Sequence, residues 1–341
     1  HEVGDNIDIS TLEQLKYVLE DGRPLIFANV QFDVLALEST GITVADSPFY
    51  DILTMANMVD ENIPIQKSLS QLSLRYLDEQ GKLDTPEITK EKKSGWKNTT
   101  PELMYEYAVA DAVTTWRIWD QLINHEEWAA IPADVWEEKQ KLIRVLLHMR
   151  RRGVRVDTTL AADMVRIGEA RIEEIKTELG MNPASNKDMY ELLIVQLGLP
   201  ILKESKKTGK ASFDKFAMDE YEILLDRMDS PVANLIKEFR GWSKAVSAAY
   251  KPYLALVDGD GRIRCSYKTH GTVSGRLSCA EPNLQQIPKA SDKPWNGRVK
   301  ECFIAKDGYT LVEFDYSQLE LRLGTAYAGE EELKTVFNEG R

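Results

Sequence analysis

Thr310-Leu311-Val312-Glu313-Phe314-Asp315-Tyr316-Ser317-Gln318-Leu319-Glu320-Leu321-Arg322 is the stretch on which the reading of this chain turns. Its first five residues are mostly β-branched, aromatic or apolar and predict a strand. From Gln318 to Tyr327 the period becomes helical, so Asp315 falls where a strand gives way to a helix. A carboxylate at the C-terminal end of a strand can project into the crevice that sheets leave there, and phosphoryl transfer uses such carboxylates to hold divalent cations. The same position equally suits a residue that only caps the next helix. Position alone leaves both readings open.

The neighbouring letters discriminate between them. Residues 315–322 read DYSQLELR and resemble motif A of the family A, DNA polymerase I-like DNA polymerases, usually DYSQIELR, with Leu319 a conservative departure. The resemblance implies that Asp315 binds both catalytic metals, that the Tyr316 carbonyl is a further metal ligand, and that Glu320 is a steric gate against a ribose 2′-hydroxyl. Upstream, residues 272–278 (TVSGRLS) and 282–288 (PNLQQIP) resemble the TxTGRLSS and PNLQNIP strings that precede motif A in the same family. The resemblance makes Arg276 the residue at the primer end and Asn283, Gln285 and Gln286 side chains that line the DNA. An arginine there suits the minor groove, whose acceptors recur at every base pair and let pairing be tested without reading sequence. Ser274, Cys279 and Gln286 depart from the family's Thr, Ser and Asn; the last leaves the contact made by Gln286 open.

Between residues 131 and 257 the pattern is mainly helical. Leu142, Val145, Leu146 and Met149 recur at spacings of three and four before Gly153, Asp157 caps a second long helix ending near Gly180, Ser185 or Asn186 caps a third ending at Gly198, and Ser230-Pro231 opens a fourth. Phe239-Arg240-Gly241-Trp242-Ser243-Lys244 resembles the YRGLxK helix of the family's thumb, and Arg240 and Lys244, four apart on one helix face, suit a pair that follows duplex phosphates. By this resemblance, the polar loop 204–211 falls where the family's thumb tip approaches the minor groove. Residues 262–267 alternate as a strand does and begin the third region.

In the first third, residues 25–28 read as a buried strand after the turn Asp21-Gly22. Thr100-Pro101-Glu102 is a helix start, with the helix running to about Asn124. Asn29-Val30-Gln31-Phe32-Asp33 and Tyr107-Ala108-Val109-Ala110-Asp111 resemble the second (NxxxD) and third (YxxxD) motifs of the 3′-5′ proofreading exonucleases. Spacing of four sets Tyr107 and Asp111 on one helix face. The resemblance implies that Asp33 and Asp111 are metal ligands and that Tyr107 orients the attacking water. The first motif, a DxE strand, is expected upstream of Asn29. Asp5 and Asp8 lack the Glu two residues on and are not assigned to it.

With 341 residues, several domains are expected. The fold class implied is α/β and α+β multidomain: a truncated RNase H-like exonuclease domain over 1–130, a mainly helical thumb over 131–257, and the N-terminal part of a polymerase palm over 258–341. The three cysteines and four histidines form no pair with metal-ligand spacing, so a reduced, cytoplasmic protein is expected, and the resemblance implies a bacterial cell or phage-infected host. No apolar run approaches a membrane span. The net charge of −12 argues against a nucleic-acid partner when taken as a sum, but basic residues gather at Arg144, Arg150, Arg151, Arg152 and Arg155 and again from Lys203 to Lys210. The resemblance implies primer-template DNA and deoxynucleoside triphosphates as partners and Mg²⁺, two ions per active site, as cofactor, with Mn²⁺ as an alternative. It names no processivity factor. The sequence begins at His1 and ends at Arg341, so a fragment is expected, with both active sites incomplete and neither reaction supported alone. A stand-alone 3′-5′ exonuclease or ribonuclease would account for the first 125 residues and not for 272–322. A non-catalytic DNA-binding relative stays open.

Overall fold

The computed structural model describes residues 9–44, 48–62, 68–78, 88, 90, 99–289 and 292–339, without the side chains of 9–12. Asp5 and Asp8 lie outside the described residues. Packing divides the chain into two units, His1–Phe303 and Ile304–Arg341.

The first unit is a helix-rich α/β structure. After α1 (Ile9–Leu19), the short strand β1 (Leu25–Phe27) leads into α2 (Val30–Ser39), and β2 (Phe49–Asp51) runs parallel to β1, with Ile26 opposite Tyr50. A parallel pair requires a crossover, and α2 supplies it. Asp51 ends β2 and caps α3 (Ile52–Val59), its carboxylate accepting from the Leu53 and Thr54 N–H groups. α4 (Leu69–Leu77) opens with a reciprocal capping box between Ser68 and Gln71. α5 (Pro101–Ile123) starts as its letters require, with the Thr100 hydroxyl accepting from Leu103 N–H and proline in the first turn. α3, α4 and α5 close a core in which Ile52, Met55, Leu72, Ile118 and Leu122 are fully buried, with Tyr50 stacked on Trp136.

After α6 (Glu126–Ala130), α7 (Ala133–Arg152) ends at Gly153, whose φ of 60° and close approach to Ile263 O leave no room for a Cβ. β3 (Val154–Arg155) precedes α8 (Thr158–Leu179), capped by Asp157 and stopped by Gly180. α9 (Asn186–Tyr190) continues in π-helical turns to Gln196, and α10 (Lys215–Asp226) packs with them on a core of Met189, Leu193, Phe213, Tyr221 and Ile236. α11 (Val232–Ala245) lies against α8. Gly168 of α8 makes this possible, because a Cβ there would come within 2.7 Å of Val246 and the Trp242 ring. Arg171 of α8 straps the pair with a bidentate bond to Glu238 at 2.8 and 2.9 Å. A π-helical stretch, Val246–Tyr250, joins α11 to α12 (Lys251–Leu256).

The alternating run 262–267 is two strands. β4 (Arg262–Ile263) pairs antiparallel with β3, and β5 (Ser266–Lys268) pairs antiparallel with β6 (Ser278–Ala280). The break falls at Arg264, whose guanidinium leaves the ladder to bind Asp258, Asp260 and the Arg151 carbonyl. Hydrogen bonds join the β5 region to the first core: Thr54 and Thr269 hydroxyls meet at 2.6 Å, and Gln31 Nε2 donates to the Tyr267 carbonyl at 2.7 Å.

The second unit is a helical hairpin, α13 (Leu319–Ala328) and α14 (Glu331–Asn338). The expected strand over 310–314 is absent. A strand exists only with a ladder partner, and no strand or bridge among the described residues includes this stretch, whose Leu311, Val312 and Phe314 are exposed. No helix of the described residues is long and apolar enough to cross a membrane.

Candidate active sites and nucleic-acid interface

Asn29 caps α2 in the left-handed region, φ 85°, so the chain turns sharply from β1 into the helix and sets Asp33 in its first turn. The Val30 N–H at that turn is held by Asp51 Oδ2 at 2.7 Å. Asp51 was not foreseen from the sequence. Its only signal was an acid before an apolar helix start, and its reach back to Val30 across 21 residues has none. On α5, Tyr107 and Asp111 sit one turn apart, and the Asp111 carbonyl accepts from Thr115 Oγ1 at 2.7 Å. Asp33, Tyr107 and Asp111 line one cavity of about 780 Å³, with Phe32, Met104 and Trp116 among its walls. Phe32 and Trp116 are both more than half exposed, so the rim offers aromatic faces to solvent.

Burial pushes the Asp33 carboxyl up to about 6, helped by the nearby charges of Asp51 and Asp111. The charges of Asp51 and Asp111 oppose ionisation of Asp33, and a divalent cation bound nearby relieves such repulsion. Asp33 and Asp111 supply two carboxylates to this cavity, and among the described residues no third His, Cys, Asp or Glu completes a metal-holding group with them.

The second group of predicted residues surrounds the β5–β6 hairpin. Arg276, at the end of the loop from β5, is exposed, and its carbonyl accepts from Thr272 Oγ1 at 2.7 Å. Gly271 and Gly275 allow that loop. A Cβ on Gly271 would overlap Ser278 Oγ at 1.9 Å, and Gly275 has φ 72°. Past β6, Asn283 caps a 3₁₀ turn, Leu284–Gln286, through its Oδ1 and the Gln285 N–H. Asn283, Gln285 and Gln286 are exposed, so Arg276 and the polar turn flank opposite ends of one short strand.

On α11, Arg240 and Lys244 line a cavity of about 350 Å³ together with Lys215 and Lys237. Lys244 is exposed, whereas Arg240 is partly buried and donates to the Phe213 carbonyl at 2.7 Å. The loop 204–211 is closed by a bridge between Glu204 and Ala211 and turns through Gly209, φ 66°.

In the second unit, Asp315, Tyr316 and Glu320 are all exposed. Gln318, φ 53°, starts α13, and Arg322 Nε ties the preceding turn to it by donating to Ser317 O at 2.8 Å. Among the described residues, no group of three His, Cys, Asp or Glu side chains could hold a metal ion. Asp315 is therefore not grouped with other side chains of that kind among them.

The sequence model of DNA polymerase family A matches residues 150–341, and that of the 3′-5′ exonuclease domain matches residues 1–126. This chain belongs to DNA polymerase family A. DNA polymerase I of Chloroflexus aurantiacus is 30% identical over 93% of this chain and 34% of its own length. For that of Pseudomonas aeruginosa the figures are 29%, 96% and 36%, and for the thermostable DNA polymerase I of Thermus filiformis 34%, 60% and 25%. The family A chain thus spans between a quarter and just over a third of the length of these relatives. A solved structure, the POL domain of Pol1 from M. smegmatis in complex with DNA primer-template and dNTP, superposes with a TM-score of 0.75 over 98% of this chain and 55% of that one, at 22% identity. That likeness shows a shared fold.

Proposed function

We propose that this chain is the exonuclease, thumb and opening palm portion of a template-directed DNA polymerase that extends a primer with deoxynucleoside triphosphates and edits its 3′ end, in the cytoplasm of a bacterial cell or phage-infected host. The domain limits proposed are 1–130, 131–257 and 258–341. The observation that carries the reading is the convergence of Asp33, Tyr107 and Asp111 on one aromatic-rimmed cavity, ahead of a region matching the polymerase family.

In the editing pocket, Asp33 and Asp111 would hold Mg²⁺ or Mn²⁺, which when bound would supply charge stabilisation at the scissile phosphate. Tyr107, on the same helix face as Asp111, orients the attacking water by hydrogen bonding. Phe32 and Trp116 offer stacking faces to unpaired bases, which present a π-face whatever their sequence. Asp51 keeps the N-terminus of α2 in place and so aims Asp33 into the cavity.

For extension, Asp315 and the Tyr316 carbonyl are the proposed metal ligands, and Glu320 is the proposed gate against ribonucleotides. Arg276, Asn283, Gln285 and Gln286 bind the primer-template duplex, and Arg240 and Lys244 follow its backbone. Arg240 is partly buried and gives one of its donors to Phe213 O, so the exposed Lys244 is the stronger phosphate contact of the two.

The test is a pair of substitutions in the protein at the full length of its relatives. Asp111→Ala abolishes 3′ digestion and leaves extension, and Asp315→Ala does the reverse. Digestion that persists in the first variant, or extension in the second, refutes the assignment of that site.

A further inference from the structure

The start of α2 is tied to the β5–β6 hairpin along two paths. Gln31, in the first turn of α2 and two residues before Asp33, donates from Nε2 to the Tyr267 carbonyl of β5 at 2.7 Å. Thr54 of α3 meets the hydroxyl of Thr269, the residue that follows β5, at 2.6 Å. This second path also ends on α2, because Asp51 accepts the Thr54 N–H and hydroxyl on Oδ1, at 3.0 and 3.4 Å, and the Val30 N–H on Oδ2 at 2.7 Å. With its proton turned to Asp51, the Thr54 hydroxyl accepts from Thr269. Gln31, Asp51, Thr54 and Thr269 are each at most 4% exposed, so their bonds are shielded from competing water.

These ties cross between the segments that match the two family models, 1–126 and 150–341. Packing alone does not account for Gln31. Its Oε1 is buried with no partner among the described residues, a cost that a methionine of similar length would avoid. What the amide supplies and methionine would not is the bond to Tyr267 O. Thr269 in turn opens the loop that ends at Arg276, closed by the bond from Thr272 Oγ1 to the Arg276 carbonyl at 2.7 Å.

We propose that Gln31, Thr54 and Thr269 are positioning residues for the editing cavity: through them the β5–β6 hairpin holds the first turn of α2, and with it Asp33, in place. The part played by Asp33 rests on the function proposed above. The hairpin that carries Arg276 and the acid of the editing cavity thereby share one support, and Asp33 loses its aim when either tie is cut.

The experiment follows amide hydrogen exchange in the 341-residue chain. Gln31→Met and Thr269→Val each cut one tie and should speed exchange across 30–34 by about fivefold, with α8 and α10 at their native rates. Thr269→Ser keeps the hydroxyl and should keep native exchange across 30–34. Gln31→Met also removes the orphaned Oε1, so it keeps the fold even where Thr269→Val loses stability. Native exchange across 30–34 in both Gln31→Met and Thr269→Val overturns the proposal. So does exchange raised equally in α8 and α10, or a serine variant as fast as the valine one. In the protein at the full length of its relatives, Gln31→Met should lower kcat for digestion of single-stranded DNA about tenfold, with KM within about twofold of native. A native kcat overturns the positioning of Asp33. The exchange readout uses no DNA, so its failure is distinct from failure of the editing reading, which Asp111→Ala tests.

Discussion

Replacing Asp33 by Asn should stabilise the metal-free protein near neutral pH. In the folded chain the Asp33 carboxyl is pushed up from 3.8 to about 6 by burial and by Asp51 and Asp111. A carboxyl whose folded value exceeds its unfolded one contributes stability that is fully present below about 4 and lost as pH rises through about 6. At pH 7.5 the charged Asp33 is therefore a net cost. A rise from 3.8 to about 6 corresponds to roughly 3 kcal/mol as a ceiling. The side chain is only partly buried, so solvent screening reduces this to about 1–2 kcal/mol, and losing an acid from the first turn of α2 takes back about 0.5 kcal/mol. Asparagine keeps the shape and removes the charge. Urea unfolding in EDTA, followed through the tryptophans of the first core (Trp119, Trp128 and Trp136), should show Asp33→Asn stabilised by about 1 kcal/mol at pH 7.5 and by less than about half of that at pH 4. An equal effect at the two pH values would refute the reasoning, because it would mean that Asp33 is not titrating between them.

Asp51→Ala removes the acceptor for the Val30, Leu53 and Thr54 N–H groups in a buried setting, and should cost about 2–4 kcal/mol in the same unfolding assay. Gly241→Ala gains about 1 kcal/mol of helix propensity. Its Cβ would nevertheless lie 2.3 Å from the Trp295 ring. Net destabilisation of about 1–3 kcal/mol and a shifted Trp295 emission are therefore expected. Thr54→Val strands the buried Thr269 hydroxyl at a cost of about 1–3 kcal/mol, and the double variant with Thr269→Val should recover part of that loss in a double-mutant cycle. Val312→Lys with Phe314→Lys should raise the monomer fraction seen by size-exclusion chromatography, since both apolar side chains are more than two-thirds exposed.

Local chemistry was legible in the letters. Thr100, Asp157 and Ser185 each form the side-chain cap that their type and position required, and Gly180 stops its helix in the left-handed conformation. The i, i+4 spacing of Tyr107 and Asp111 delivers both to one cavity. Pairings between distant segments were not legible. Nothing in residues 49–51 announces a parallel partner for 25–27, and nothing in Thr54 or Gln31 announces their bonds to Thr269 and the Tyr267 carbonyl. A hydroxyl or an amide can serve almost any polar partner, so its letter leaves the partner unspecified. The break at Arg264 escaped for the same reason. Alternation counted it as a strand residue, while its guanidinium found two carboxylates and a carbonyl outside the ladder.

Two short segments with strand-forming letters met opposite fates for one physical reason. Residues 310–314 carry strand propensity, but propensity is a preference for a pleated, half-buried surface and needs a neighbour to express it. Without a ladder partner among the described residues, Leu311, Val312 and Phe314 stay exposed and the strand does not form. Before Asn29 the short strand β1 does form, because β2 supplies its partner and Asp51, at the end of β2, reaches back to the first turn of α2. The same carboxylate that stabilises this crossover raises the proton affinity of Asp33 beside it. The geometry that aims the acid into the cavity therefore also makes its ionised form unfavourable near neutral pH, a cost that a divalent cation would relieve.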